Sequence, residues 1–320
     1  MRPIITKIDL NNKVYGGRVY ENQVVDLLGD SFVFKRVFLM KYRCKVLNIP
    51  RILFLLFKYR LFYRGTLLLT NQTTWFVGRC ARNIAVIHHL DSKFSCNASS
   101  FYQTFCERSL FRNRKKFDAI ITVAKCWKQQ LEYSGFENVS VIYNSFDTSL
   151  YQFPNAEIEA FKAKYEFTGK PLIYLGNCQK KKGVVEAYNS LKGIDALFVT
   201  TGNKDVELPI PNLMLSFKEY RLLLAAADVV ITMSLFNEGW NRVAHEAILS
   251  GTPVIGSGKG GMGELLTMTG QIICQNFEEL PHHVINILQN KSKVKDSVIE
   301  KFNLVYFKEC WRTVLTQCCK

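Results

Sequence analysis

The chain has 320 residues and a mass of 36.8 kDa, enough for about two domains at roughly 150 residues each. Hydrophobic residues make up 48% and charged residues 22%, a balance that excludes a disordered or collagen-like chain. The net charge of +15 is uneven: residues 1–150 hold 23 Lys/Arg and 10 Asp/Glu (+13), residues 151–320 hold 19 and 17 (+2). The longest aliphatic-aromatic run, Ile52 to Phe57, is far short of the ~18–20 residues of a spanning helix, so no transmembrane segment is expected. The N-terminus reads as a first strand and lacks the apolar core of a secretory signal. Ten cysteines occur without a CxxC pair, which favours neither a zinc site nor a disulfide framework. Reduced, mostly buried thiols of a cytosolic protein are the expectation.

Along the chain, short apolar runs alternate with amphipathic stretches. Strands are predicted at Ile4–Ile8, Thr66–Leu69, Ile84–Ile87, Ala119–Val123 and Val139–Tyr143, then at Leu172–Leu175, Ala196–Thr200, Val229–Thr232, Pro253–Gly256 and Ile272–Cys274. Helices are predicted at Gln23–Leu28, Lys125–Ser134, Val184–Leu191, Lys218–Ala226, Arg242–Leu249 and Glu278–Leu288. Such alternation predicts an α/β protein with parallel sheets. The set occurs twice around a polar stretch at 147–170, read as the joint between two doubly wound domains. The expected division is 1–150 and 151–302, with a final helix drawn from Asp296–Cys319 and returning to the first domain; Phe302, Val305, Phe307, Trp311 and Leu315 are its candidate apolar face.

Residues 31–90 contain eleven bases and no acid, and between positions 36 and 64 the bases alternate with Phe, Leu and Tyr. A basic, apolar stretch too short to span a bilayer has the character of an interfacial segment. An anionic membrane surface is therefore an expected partner. No helix-turn-helix, RNP, KH or zinc-finger pattern supports nucleic acid.

The strongest local pattern is NEGWNRVAHEAILSGTPVIG at 237–256. A strand ends before it, a helix opens near Trp240 and stops at Gly251, and Pro253 starts the next strand. Glu238 thus lies ahead of a helix N-terminus at the carboxyl end of a parallel strand, where open α/β sheets bind ligands. The N–H groups of Gly239, Trp240 and Asn241 suit an anion, and Glu246 returns to the same side of the helix two turns on. Carboxylates beside an anion site are good acceptors for sugar hydroxyls.

Two glutamates with seven residues between them, followed by glycine and Pro-Val-Ile, resemble the signature of retaining glycosyltransferases of the family-4 type (glycosyl transferases group 1) with the GT-B fold. Other segments fall in that family's order. Gly16 and Gly17 resemble its glycine-rich donor loop, IAVIHH at 84–89 its strand ending in a histidine, Phe117–Asp147 its strand-helix-strand run, and YLGNCQKKKG at 174–183 its diphosphate loop. Asn177 stands where the family usually has arginine, while Lys182 matches its lysine. The family's serine before the first-domain helix is replaced around Ala124-Lys125.

The resemblance implies two Rossmann-like domains facing a cleft, the first on the acceptor side and the second binding a nucleotide-diphosphate sugar as donor substrate, with no cofactor. Glu246 would hold the donor ribose and Glu238 the transferred sugar. The N–H groups of 239–241 would contact sugar or phosphate, and Lys182 the diphosphate. His88 or His89 would be the catalytic histidine, since alternation along a strand lets only one point into the cleft. His245 is expected to pack or to support the site residues beside it. With no Asp-x-Asp pair in the chain, metal-independent transfer is expected. The acceptor would be a glycan or lipid-linked molecule at the inner membrane face, as in polysaccharide biosynthesis. The alternatives are a sugar-nucleotide epimerase or hydrolase on the same fold, and a catalytically weak partner subunit.

Overall fold

The computed structural model describes residues 2–13, 15–44, 46–90, 98–290 and 302–319. The chain forms two units, Met1–Ser145 with Leu304–Lys320, and Phe146–Asn303. Each is built on a six-stranded, all-parallel sheet, so the two doubly wound α/β domains expected from the sequence are present.

The first unit contains β1 (Ile4–Asp9), α1 (Gly16–Leu28), β2 (Val33–Phe38), α2 (Asn48–Leu55), β3 (Thr66–Thr70), β4 (Arg82–Ile87), α3 (Ala98–Arg112), β5 (Ala119–Thr122), α4 (Lys125–Tyr133) and β6 (Val139–Val141). Its strand order is β2-β1-β3-β4-β5-β6, which reverses direction between β1 and β3. The inner strands β1, β3 and β4 are buried along nearly their whole length because both faces are covered, as parallel sheets require. β2 is the edge strand, and Lys35 and Arg36 at its middle are a usual device against edge-to-edge pairing. Those bases hid it from the apolar pattern.

α1 starts at Gly16, seven residues before the predicted start, and buries Tyr20, Val24 and Leu28. The Tyr20 hydroxyl donates to the Ile142 carbonyl (2.9 Å) and accepts from Trp311 Nε1 (3.2 Å). Trp311 belongs to the last helix of the chain, Leu304–Cys319, which buries Phe307, Trp311, Leu315 and Cys318 at helical spacing within this unit. Val305, expected on that face, is exposed, because the buried stripe begins at Phe307. The part of the expected helix at 296–301 lies outside the described residues. Not all thiols are buried: Cys44 and Cys80 are exposed, and Cys96 lies outside the described residues.

The second unit contains α5 (Asn155–Lys164), β7 (Leu172–Asn177), α6 (Val184–Leu191), β8 (Leu197–Thr201), β9 (Asn212–Leu213), α7 (Phe217–Ala226), β10 (Val229–Thr232), α8 (Arg242–Leu249), β11 (Val254–Gly256), α9 (Gly261–Met268), β12 (Ile272–Ile273) and α10 (Leu280–Asn290); α11 is the Leu304–Cys319 helix of the first unit. The order β12-β11-β10-β7-β8-β9 is the Rossmann arrangement, with its switch point between β7 and β10. The stretch at 147–170, expected to be only a joint, holds α5. It buries Phe161, and surface ion pairs of Lys164 with Glu219 (2.6 Å) and Lys218 with Glu157 (2.7 Å) join it to α7. The two ends of the unit meet where Phe146 pairs with Asn303, and the Phe146 N–H donates to the Phe302 carbonyl (3.3 Å).

Candidate active site

In the second unit a pocket of about 270 Å3, counting its open mouth, lies at the carboxyl ends of β7 and β10. That is the switch point, where two loops diverge and leave room for a ligand. Gly176, Asn177, Lys182, Ser234, Asn241 and Val243 are among its lining residues.

Local chemistry fixes each wall. After β7 the chain makes a tight turn over Lys180–Lys182 and enters α6 through Gly183 at φ +69°. A Cβ on Gly183 would lie 2.2 Å from the Met233 carbonyl oxygen, so this loop can lie against β10 only with glycine there. Opposite, the Glu238 backbone is clamped to the 259–261 loop: its N–H donates to the Lys259 carbonyl (3.2 Å) and its carbonyl accepts from Gly261 N–H (2.8 Å). Gly260, at φ +66°, permits that approach, since its Cβ would come within 2.3 Å of the Glu238 oxygen. α8 opens at Arg242, with the Asn241 side chain accepting from Ala244 N–H (2.9 Å) as its cap. Gly239, Trp240 and Asn241 therefore form the loop just before the helix.

Glu238 is buried and accepts from Ser234 Oγ (2.6 Å) and from Lys182 Nζ. The structure thus joins two residues the sequence reading had given separate tasks. The Lys182 ammonium also lies 5.0 Å from the Phe236 ring centre. Asn177 accepts from the Thr201 hydroxyl (3.2 Å) and so leans toward β8.

Glu246, on the buried face of α8, accepts from the Tyr151 hydroxyl (3.2 Å), the Tyr220 hydroxyl (2.9 Å) and Arg242 Nη2 (3.3 Å). Burial pushes its carboxyl above the ordinary value, and Arg242 and the two hydroxyls pull it back only in part. His245 packs, as expected: it is fully buried, meets Phe146 edge-on at 4.5 Å, and accepts at Nδ1 from Trp240 Nε1 (3.1 Å). Burial and then the Arg242 charge hold its imidazole well below the ordinary range, so it is neutral.

In the first unit, Gly16 and Gly17 begin α1, and a Cβ on Gly17 would sit 2.9 Å from the His88 ring. Gly17 and His88, far apart in sequence, are therefore neighbours. His88 Nε2 lies 3.4 Å from Glu21 Oε1, and its ring meets Tyr20 edge-on. Asn71 fixes this strand end by accepting from His88 N–H (2.7 Å) and donating to the His89 carbonyl (2.7 Å). Beneath lies a buried charge network: Lys7 pairs with Asp9 and Glu21 (3.0 Å for the latter), and Arg18 pairs with Asp9. Burial alone would raise the Glu21 carboxyl, but hydrogen bonding to His88 and the Lys7 charge outweigh it and hold it below its ordinary value.

Sequence reasoning missed Ser234, Tyr151, Tyr220, Arg242 and Glu21. Arg242 had a legible signal, four residues before Glu246 on one helix face. The tyrosines had none, because they come from the supposed joint and from α7.

Residues 170–290 match the family model for Glycosyl transferases group 1. An uncharacterised glycosyltransferase of Methanocaldococcus jannaschii is 26% identical over 204 residues; the alignment spans 59% of this chain and about half (54%) of that relative. Anabaena HepE, crystallised with UDP-glucose, superposes with a TM-score of 0.80 at 15% identity, over 98% of this chain and 99% of its own. Sucrose-phosphate synthase of Thermosynechococcus elongatus gives 0.77 at 15% identity, over 99% of both chains. These comparisons show that the chain has the GT-B fold and that residues 170–290, in its second unit, resemble the glycosyl transferases group 1.

Proposed function

We propose that the protein transfers a sugar from a nucleotide-diphosphate donor to a glycan or lipid-linked acceptor, with retention at the anomeric carbon and without a divalent metal. The observation that carries this reading is the switch-point pocket lined by Lys182, Ser234 and Asn241, with the Lys182–Glu238 pair at its wall. Each charge of that pair is compensated by the other. A diphosphate entering the pocket would take over Lys182 and release Glu238 toward the sugar hydroxyls. The N–H groups of 239–241 and the α8 N-terminus are suited to the phosphate or sugar oxygens. Glu246 would exchange tyrosine hydroxyls for ribose hydroxyls. HepE is described with UDP-glucose, so a uridine donor is the first to try.

In the proposed step the bond from the anomeric carbon to the β-phosphate oxygen breaks. The acceptor oxygen bonds to that carbon on the same face, and its proton passes to the departing phosphate. Lys182 would stabilise the charge that grows on that phosphate, usually the largest catalytic contribution. In the first unit we assign the catalytic role to His88, held by Gly17 and Glu21, in preference to His89.

The first unit is proposed to be the acceptor side and to lie on an anionic membrane surface at its cytoplasmic face. Val46, Leu47, Ile49, Leu53, Phe54, Phe57 and Phe62 are each more than half exposed, flanked by exposed Lys41, Arg43, Lys58 and Arg64. Arg51 instead donates to the Phe38 carbonyl (3.0 Å) and is a structural base. Among the described residues no helix is long and apolar enough to cross a membrane. Sedimentation with anionic vesicles at low salt should carry the protein down, and replacing those four exposed bases by glutamine should release it; indifference of the native protein would point to a soluble acceptor.

The donor reading is tested by a thermal-shift screen of nucleoside diphosphates and their sugars, followed by product analysis with added chelator. A ligand at 100 times its dissociation constant should stabilise by ~2.7 kcal/mol. Absence of any shift would overturn the reading. Turnover without acceptor would favour the epimerase or hydrolase, and activity lost to chelator and restored by magnesium or manganese would overturn metal independence.

A further inference from the structure

Among the described residues, Cys274, Glu279 and His283 bring a thiol sulfur, a carboxylate oxygen and a ring nitrogen to within 4.8 Å of one another. Their elements explain the convergence. Cys274 follows β12 and is buried, its N–H donating to the Gly256 carbonyl (2.9 Å). Glu279 stands immediately before α10, and His283 lies one turn into it on the same face, with its N–H donating to the Glu279 carbonyl (3.3 Å). Asn276 braces the set. Its amide donates to Glu279 Oε1 (2.7 Å), its side-chain oxygen accepts from Glu279 N–H (2.9 Å), and its carbonyl accepts from the Cys274 thiol (2.9 Å).

We propose that Cys274, Glu279 and His283 bind one zinc-type divalent ion. Sulfur, nitrogen and oxygen together suit a borderline-soft cation, whereas magnesium and calcium take oxygen ligands only. Zinc bonds of about 2.0–2.3 Å place tetrahedral donors roughly 3.3–3.8 Å apart, within reach once the exposed Glu279 side chain turns inward. Three protein ligands leave a fourth position for water. Coordination replaces the thiol proton with the metal and releases that proton to solvent. The pattern Cys-x4-Glu-x3-His has no CxxC, which is why cysteine spacing did not disclose it. None of the three residues has a role in the proposed sugar transfer. The ion would staple the end of β12 to the start of α10, so transfer and metal binding can fail independently.

The test is a cobalt titration of the full chain after removal of metal by chelator. One equivalent should give a thiolate-to-cobalt charge-transfer band with the strong visible absorption of tetrahedral geometry, and zinc should bleach both. Cys274→Ser should abolish the band. His283→Ala and Asn276→Ala should weaken cobalt binding, the latter about 10–100-fold. A Cys44→Ser, Cys80→Ser double variant should keep the band, since those thiols are exposed but outside the set. Should Cys274→Ser fail to fold, His283→Ala and Glu279→Gln decide the matter. No band in the native protein, or a band and affinity unchanged in the variants, would overturn the proposal.

Discussion

The two units place charge at their switch points in opposite ways. In the second, Lys182 and Glu238 pair beside an open pocket, with Lys182 about a quarter exposed. In the first, Lys7, Asp9, Arg18 and Glu21 pair under the α1 glycines and are almost wholly buried. One arrangement is proposed to trade an internal partner for a ligand. The other has no exposed face to trade from and instead fixes the position of His88. Charge at a strand's carboxyl end is thus a binding device or a positioning device, and exposure decides which.

Breaking the buried network should have the largest effect. Glu21→Ala would leave Lys7 without one of its partners, and a broken buried pair costs about 3–5 kcal/mol, readable by chemical denaturation. The same residue gives a pH test. Its folded-state carboxyl is held below the ordinary 4.5, so its contribution is complete above that value and fades as pH falls through the lower folded-state value. Glu21→Gln should flatten this acid-side loss of stability. An unchanged acid limb would mean that the network carries no net stabilisation.

Breaking the open site should cost activity while sparing the fold. Glu238→Ala and Glu246→Ala are each expected to lower the rate of sugar transfer by about 10²–10³, on the scale of removing one transition-state contact. Normal transfer kinetics in either folded variant would remove that residue from the site. Lys182→Ala should weaken a nucleoside diphosphate by ~1.5–3 kcal/mol and the bare nucleoside much less, measured by calorimetry. Equal losses would put Lys182 away from the phosphate.

The smallest effect sharpens the comparison. Tyr220→Phe removes one of the hydroxyls on Glu246 and should cost ~1 kcal/mol of stability in the free protein. Saturating donor should erase that difference if ribose hydroxyls take over the same oxygen. A difference that persists would make the tyrosine a permanent partner.

How much of this was legible follows the same division. The 237–256 segment could be read because its glutamates, cap and stop signals are contiguous and obey helix spacing. The group of Lys7, Asp9, Arg18, Glu21 and His88 could not, because β1, α1 and β4 each contribute part of it and no local period links them. β2 escaped notice because an edge strand carries charge at its centre. α5 passed for a joint because its sequence is mostly polar and Phe161 is the apolar residue it buries. The tyrosines on Glu246 were hidden because Tyr151 lies in that supposed joint and Tyr220 on α7, with no local spacing to link either to Glu246.

The meeting of Phe146 with Asn303 has a consequence for how such a chain can be rearranged. A unit whose entrance and exit adjoin behaves as a cassette: it can be spliced into a host loop without stretching the host. The 146–303 piece is therefore a natural candidate for excision and for exchange with the corresponding piece of another GT-B protein. In a chimera of that kind donor choice should travel with the insert, while the recipient frame, closed by α11, keeps its own core.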